Sequence, residues 1–152
     1  MRAWSAALTA SVAAGFLMFG GAPAQADQFD DETIMGACQG DTATFRFKLY
    51  YNSGTAGAYR DFRYAVGNFG SVPLTASGNY SLKFCPGTGA GAGQDVKNNA
   101  ASARNAHTSY GACVYFNSWF NGAMDSLQPG IPTPVARNLV NTYNENASFQ
   151  WC

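Results

Sequence analysis

Apolar and polar residues alternate in short runs along most of the chain. Between residues 45 and 50, the apolar side chains of Phe45, Phe47 and Leu49 are interleaved with two basic residues, which is the period-two pattern of a half-buried strand. Similar short runs predict further strands at residues 58–66, 80–84, 101–107, 112–116, 123–127, 139–143 and 147–151. After residue 26, Gly or Pro interrupts the chain too often for long helices. The pattern predicts an all-β sandwich or barrel.

An internal repeat divides this pattern into two similar halves. Residues 50–58 and 115–123 are identical at five of nine positions. Each copy is followed by an Asn-rich turn that ends in serine, at residues 98–102 and 144–148. A tightly folded hairpin needs a glycine at positive φ, and Asn and Ser side chains satisfy free backbone groups in turns. We therefore expect two copies of one β unit that pack face to face and share an interior.

The amino terminus has the features of a secretory signal peptide. Arg2 precedes an uncharged, largely apolar stretch, and a small-residue sequence ends at Ala26. The apolar run is shorter than the roughly 20 residues of a membrane-spanning helix. We predict a signal peptide over residues 1–26, an acidic and poorly ordered segment over residues 27–40, and an extracellular product without membrane attachment.

Four cysteines follow the predicted cleavage site: Cys38, Cys85, Cys113 and Cys152. An even number in an exported chain indicates two disulfides, with three possible pairings. Because there is no C-x-x-C pair and His107 is the only histidine, a structural zinc site is not expected.

Charge and catalytic chemistry exclude several function classes. The formal net charge is +0 and only 12% of residues are charged, so the chain lacks the basic surface that nucleic acids require. His107 is the single candidate general base, and Ser109, Ser102 or Asp95 would have to join it. Because no nucleophile-elbow glycine pattern surrounds it, we interpret His107 as a surface or turn residue and predict that the protein is not an enzyme.

The second copy of the repeat resembles a known signature. Tyr115-x4-Phe120-x-Gly122 is similar to the aromatic-x4-aromatic-x-Gly motif of βγ-crystallin Greek keys. In the first copy, Thr55 stands where the second aromatic residue belongs. The positions that carry the resemblance are Tyr50, Gly57, Ser102, Tyr115, Phe120, Gly122 and Ser148.

This resemblance implies a disulfide-stapled βγ-crystallin-like sandwich of two Greek-key motifs in residues 41–152. The first motif would cover about residues 44–107 and the second about residues 112–152. With the last strand of each motif placed in the sheet of the other, Cys152 would approach the region before the first strand. On that basis we predict Cys38–Cys152 and Cys85–Cys113 pairs.

The hairpins and Asn-rich turns also resemble the small secreted actinomycete inhibitors of metallopeptidases, over residues 45–151. The resemblance implies a monomer whose partner is an extracellular peptidase, with a rigid loop blocking the substrate cleft. Residues 128–135 contain three prolines, which favour an extended, stiff loop. The candidate peptidase contacts are Ile131, Pro132, Thr133, Pro134 and Val135. The glycine-rich segment 86–93 is expected to be flexible.

Calcium binding by a structural or stress module without inhibitory activity is the alternative. The two Asn-rich turns resemble the paired oxygen clamp of microbial βγ-crystallins, with candidate ligands Asn98, Ser102, Asn144, Glu145 and Ser148. Calcium takes 6–8 oxygens and favours carboxylates, and only one candidate is charged. We therefore expect these side chains to cap turns, and we predict no cofactor.

Overall fold

A computed structural model describes residues 38–40, 42, 44–74 and 78–152. The predicted signal peptide and residues 27–37 of the acidic segment lie outside this part of the chain. The described residues form nine strands and a short 3-10 turn at Ser53–Thr55. The strands are β1 Phe47–Asn52, β2 Ala56–Phe62, β3 Val72–Leu74, β4 Gly78–Tyr80, β5 Ser102–Asn105, β6 Ala112–Asn117, β7 Asn121–Leu127, β8 Val135–Asn138 and β9 Ser148–Trp151.

Six of the predicted strands correspond to β1, β2, β5, β6, β7 and β9. The strand predicted at residues 80–84 overlaps β4 only at Tyr80, and β3 was not predicted. The strand predicted at residues 139–143 is wrong, because β8 ends at Asn138 and a turn follows. The amide and the hydroxyl of Thr142 both donate to the buried carboxylate of Asp125, each at 2.9 Å. These two bonds hold the segment in a turn around the carboxylate, so it does not form an extended strand.

The strands form two main sheets and a separate β3-β4 hairpin. One sheet has the order β2-β1-β5-β8 and the other has the order β7-β6-β9. Val66 extends the second sheet, because its amide and carbonyl pair with those of Phe149 in β9 at 2.8 and 3.0 Å. Val66 is the third segment of the first motif, and it joins the sheet of the second motif. Strand β8 is the third segment of the second motif, and it joins the sheet of the first motif. The expectation that the last strand crosses is wrong, since β5 and β9 stay beside the first strands of their own motifs.

The two repeat copies fold in the same way, as the sequence predicted. Their hairpins share one register, with equivalent pairs Tyr50 to Tyr59, Asn52 to Ala56, Tyr115 to Met124 and Asn117 to Asn121. Gly57 and Gly122 both have positive φ, at 74° and 83°. Each hairpin is tied to the last strand of its motif by a fully buried serine, Ser102 or Ser148.

The serine bonds are equivalent in the two motifs. The hydroxyl of Ser102 donates to the Asn52 carbonyl at 2.6 Å and accepts from the Thr55 amide at 2.9 Å. The hydroxyl of Ser148 donates to the Asn117 carbonyl at 2.7 Å and accepts from the Phe120 amide at 3.1 Å. Both acceptor carbonyls and both donor amides lie at matching positions of the repeat. A buried hydroxyl thus satisfies two backbone groups at each turn.

The two motifs share one hydrophobic core. The rings of Phe47 in β1 and Phe149 in β9 stack with centroids 4.2 Å apart, and Phe62 packs against Phe149 at 5.4 Å. All three side chains are fully buried, and they come from both sheets. The predicted fold class is confirmed in its architecture: the described residues form an all-β sandwich of two Greek-key motifs that carries two disulfides.

The disulfides join Cys38 to Cys85 and Cys113 to Cys152, so the predicted pairing is wrong. Cys113 and Cys152 are neighbours because β9 remains beside β6, where Cys113 pairs with Gln150. Cys85 lies beside β2, where its amide donates to the Tyr59 carbonyl at 2.7 Å. Two disulfides are compatible with an oxidising extracellular compartment. Within the described ranges, no helix has the length and apolarity needed to cross a bilayer.

The glycine-rich segment 86–93 is also more constrained than its composition predicted. The Phe84 amide donates to Gln94 at 2.9 Å and the Gly93 amide donates to Phe84 at 3.0 Å, which closes the base of the segment. The carbonyl of Ala90 accepts from Ala58 in β2 at 2.8 Å. These bonds hold the segment against the first hairpin.

We predict that Ser102→Ala and Ser148→Ala each lower the free energy of unfolding by about 1–3 kcal/mol, because each removes two hydrogen bonds between a buried hydroxyl and the backbone of a turn. Denaturant titration monitored by tryptophan fluorescence measures this loss. Ser109→Ala is the matched control, since Ser109 is exposed, and it should change stability by less than about 0.5 kcal/mol. Equal stability of all three variants would contradict the role given to the two hydroxyls.

We also predict that peptide mapping without reduction recovers Cys38–Cys85 and Cys113–Cys152 peptides. Replacing Cys113 and Cys152 together by alanine should lower the free energy of unfolding by about 2–4 kcal/mol, because the unfolded chain gains entropy. A Cys38–Cys152 peptide from the native protein would be incompatible with the sheet order described here.

Candidate functional site

The proline loop, residues 128–134, connects β7 to β8 and carries most of the predicted peptidase contacts. Ile131, Pro132, Thr133 and Pro134 are exposed, and the side chain of Ile131 is 66% accessible. Val135 differs, because it is the first residue of β8, pairs with Asn105 and packs against the core. The structure therefore keeps four of the five predicted contacts at the surface and assigns Val135 to the scaffold.

Both ends of the proline loop are fixed. The amide of Gly130 donates to the His107 carbonyl at 2.8 Å. A Cβ atom on Gly130 would lie 2.7 Å from the Asn105 carbonyl oxygen and 2.9 Å from the Cα of Pro134, so this approach requires glycine. At the other end, Val135 holds the chain in β8. The exposed tip is short and is held at two points.

Asn105 bonds both loops at this end of the domain, and no sequence pattern singled it out. Its fully buried amide donates to the carbonyls of Tyr110 at 2.9 Å and Gln128 at 3.0 Å. Its side-chain oxygen accepts from the His107 amide at 2.8 Å. Strand alternation predicts only that Asn105 faces one side of β5. The convergence of two loops on that side, β5–β6 and β7–β8, depends on tertiary structure.

The ring of His107 is held by hydrogen bonds and by aromatic contacts. Its Nδ1 accepts from the amides of Ser109 at 3.0 Å and Tyr110 at 3.1 Å. Its ring lies 4.8 Å from that of Tyr110 and 4.9 Å from that of Trp151. Partial burial, and then the positive charge of Arg46, hold the pKa of His107 below its usual value.

The other candidate catalytic residues are engaged elsewhere. Ser102 bonds the first hairpin, and the carboxylate of Asp95 accepts from Ser81 and Lys83. These bonds hold the pKa of Asp95 below its ordinary range, with the Lys83 bond as the larger cause. Ser109 contacts His107 through its backbone amide. Within the described chain, these residues do not form a nucleophile–base pair.

The two Asn-rich turns do meet, as the calcium alternative requires. Asn98 and Asn144 both adopt positive φ, at 63° and 53°. The Asn98 amide donates to the Asn146 carbonyl at 2.8 Å, and the Asn144 amide donates to the Ala100 carbonyl at 2.9 Å. Asn98, Asn144 and Glu145 share the lining of a surface cavity of about 390 Å³.

The donor set of this cavity does not fit calcium well. The hydroxyls of Ser102 and Ser148 are buried and bonded to the hairpins, so they are not directed at the cavity. The ammonium of Lys97, which also lines the cavity, donates to Asn68 and Ser118. Two amides and one carboxylate beside a lysine are fewer and less acidic ligands than calcium favours. Within the described chain, no cluster of three or more acidic, histidine or cysteine residues could hold a metal ion.

We predict that the pKa of the His107 imidazole lies below the ordinary histidine value of about 6.5. Because the folded state favours the neutral ring, the stability linked to His107 is fully present above the unfolded pKa and is lost as pH falls through the lower folded pKa. NMR titration of the ring measures the midpoint. His107→Gln should show a smaller loss of unfolding free energy on acidification from pH ~7 to pH ~5. A midpoint above 6.5 would contradict this assignment.

Comparison with known families and curated proteins finds no match, and comparison with solved structures finds a similar one. No family model matches the chain, and no curated protein matches it. One solved structure that it resembles is described as "Evolution of the eye lens beta-gamma-crystallin domain fold". That likeness has 14% sequence identity and a TM-score of 0.47, and it covers 76% of this chain and 96% of the other.

Proposed function

We propose that this protein is a secreted, non-catalytic inhibitor of extracellular peptidases that presents the tip of the proline loop to the substrate cleft. The observation that carries the proposal is the contrast within this loop. Ile131 is 66% exposed, while Gly130 and Val135 on either side of the tip are held by the scaffold.

This arrangement suits inhibition because the loop is ordered before it binds. Ordering a mobile side chain on binding costs about 0.5–1.5 kcal/mol. The bond from Gly130 to His107 and the β8 pairing of Val135 meet part of this cost during folding. Three prolines fix φ at their positions and restrict the unbound loop further.

The chemistry of the tip favours a peptidase with an apolar specificity pocket. Residues 128–135 contain no charged side chain, so an acidic or basic pocket would gain little from them. Ile131 supplies a branched aliphatic side chain that a thermolysin-like pocket accepts. The metallopeptidase class itself rests on the resemblance of the hairpins and Asn-rich turns to secreted metallopeptidase inhibitors.

We predict that the protein inhibits a thermolysin-like peptidase and that Ile131→Asp weakens inhibition at least ~30-fold, as expected for an interface anchor worth about 2 kcal/mol. A charge placed in an apolar pocket loses its hydration without gaining a partner. Inhibition constants from hydrolysis of a chromogenic peptide provide the measurement, with a subtilisin-like peptidase assayed in parallel.

Val140→Asp is the matched control, because Val140 is 71% exposed and lies outside the proline loop. It should inhibit as the unmodified protein does. Absence of inhibition of both peptidases at micromolar protein would refute the proposed function. Equal inhibition by the Ile131→Asp variant would show that another surface contacts the peptidase.

A further inference from the structure

The two equivalent hairpins have different surroundings. Ala58 in the first hairpin is fully buried, with 0% exposure. Ala123, at the same position of the second hairpin, is exposed. Since the hairpins share their register, the difference arises from what covers them.

The first hairpin is covered by the chain's own glycine-rich segment. The carbonyl of Ala90 accepts from the Ala58 amide at 2.8 Å. Gly91 lies on the ring of Tyr51, because a Cβ atom there would be 2.2 Å from a ring carbon. Gly89 lies against the backbone of Gly57, with a Cβ distance of 3.0 Å. The cover is thus a segment of consecutive turns that bonds an edge strand through the Ala90 carbonyl and needs glycine where it crosses the aromatic ring.

The second hairpin presents the same groups without such a cover. Phe116 stands at the position of Tyr51 and is 38% exposed, and Met124 stands at the position of Tyr59 and is 46% exposed. The nearest atoms to a Cβ atom on Gly122 all belong to the hairpin itself, whereas those around Gly57 include the Ala90 oxygen. We call Phe116, Ala123 and Met124 the bare hairpin face.

One of the two backbone contacts that cover the first hairpin has a counterpart on the second hairpin, and the other has none there among the described residues. The Met124 carbonyl accepts from the Asn141 side chain at 2.8 Å, just as the Tyr59 carbonyl accepts from the Cys85 amide. Among the described residues, none takes the place of Ala90 beside Ala123. Because β7 lies at the edge of its sheet, its backbone can pair with an added strand.

We propose that the bare hairpin face binds a glycine-rich turn segment of a partner protein, shaped like the chain's own segment 86–94. A carbonyl of that segment accepts from the Ala123 amide, and the next residue of the segment, a glycine, lies on the ring of Phe116. The chain's own segment on the first hairpin provides the template for both contacts. The site is separate from the proline loop and does not depend on the proposed inhibition.

The probe is a synthetic nonapeptide that copies residues 86–94, Pro-Gly-Thr-Gly-Ala-Gly-Ala-Gly-Gln. We predict saturable NMR shifts at the Ala123 and Met124 amides when it is added to the folded, disulfide-bonded chain. A peptide carrying Gly91→Ala should bind at least ~10-fold more weakly, because its methyl group would meet the ring of Phe116. In the protein, Phe116→Ala should abolish the shifts, while Ile131→Ala should leave them unchanged and weaken only peptidase inhibition.

Several outcomes would overturn this proposal. One is the absence of saturable shifts, and another is equal binding of the Gly91→Ala peptide. Shifts confined to Ala58 would show that the peptide only displaces the internal segment. Shifts at Ala123 that change with protein dilution in the absence of peptide would assign the face to a second copy of this chain.

Discussion

The structure depends on two buried serine hydroxyls that hold each hairpin to the last strand of its own motif. Ser102 and Ser148 each donate to one turn carbonyl and accept from one turn amide. Without these bonds, the positive-φ turns at Thr55 and Phe120 would lose their hydrogen bonds to the last strand of the motif. Fixing the turns also fixes the edges of both sheets. These turns begin β2 and β7, which lie at sheet edges; the glycine-rich segment lies against β2 and the proline loop follows β7.

The repeat explains how much of this arrangement the sequence predicts. Period-two alternation and the glycines at positions 57 and 122 are local signals, so the hairpins and their shared register could be predicted. The disulfide pairing could not, because it depends on which sheet receives the third segment of each motif. Pairing of Val66 with Phe149 decides that point, and the sequence around Val66 has no local signal for it. Similarly, the buried carboxylate of Asp125 turns the chain where alternation predicted a strand.

The candidate site shows the same division between local and tertiary information. Three prolines predict a stiff, exposed loop, and Ile131 is indeed at the surface. Val135 is apolar and follows a proline, which predicts a peptidase contact, yet its pairing with Asn105 makes it part of β8. Asn105 anchors the loop through Gln128, but a single amide in a predicted strand is indistinguishable from a surface residue. Exposure of a loop tip follows from composition, whereas its anchors are determined by the packing of distant segments.

The two proposed binding surfaces lie where the symmetry of the repeat is broken. The glycine-rich segment covers the first hairpin and leaves the second bare, and the proline loop precedes β8. The bare hairpin face lies at the beginning of β7, and the proline loop follows its end. Ala123 and Met124 lie three to four residues before the end of β7, which is roughly 10–13 Å along the strand, so the two surfaces do not share residues. Substitutions at Phe116 and Ile131 should therefore act independently, since sites farther apart than about 7–10 Å with no shared partner usually show additive energies. One strand can thus support two binding surfaces without coupling them.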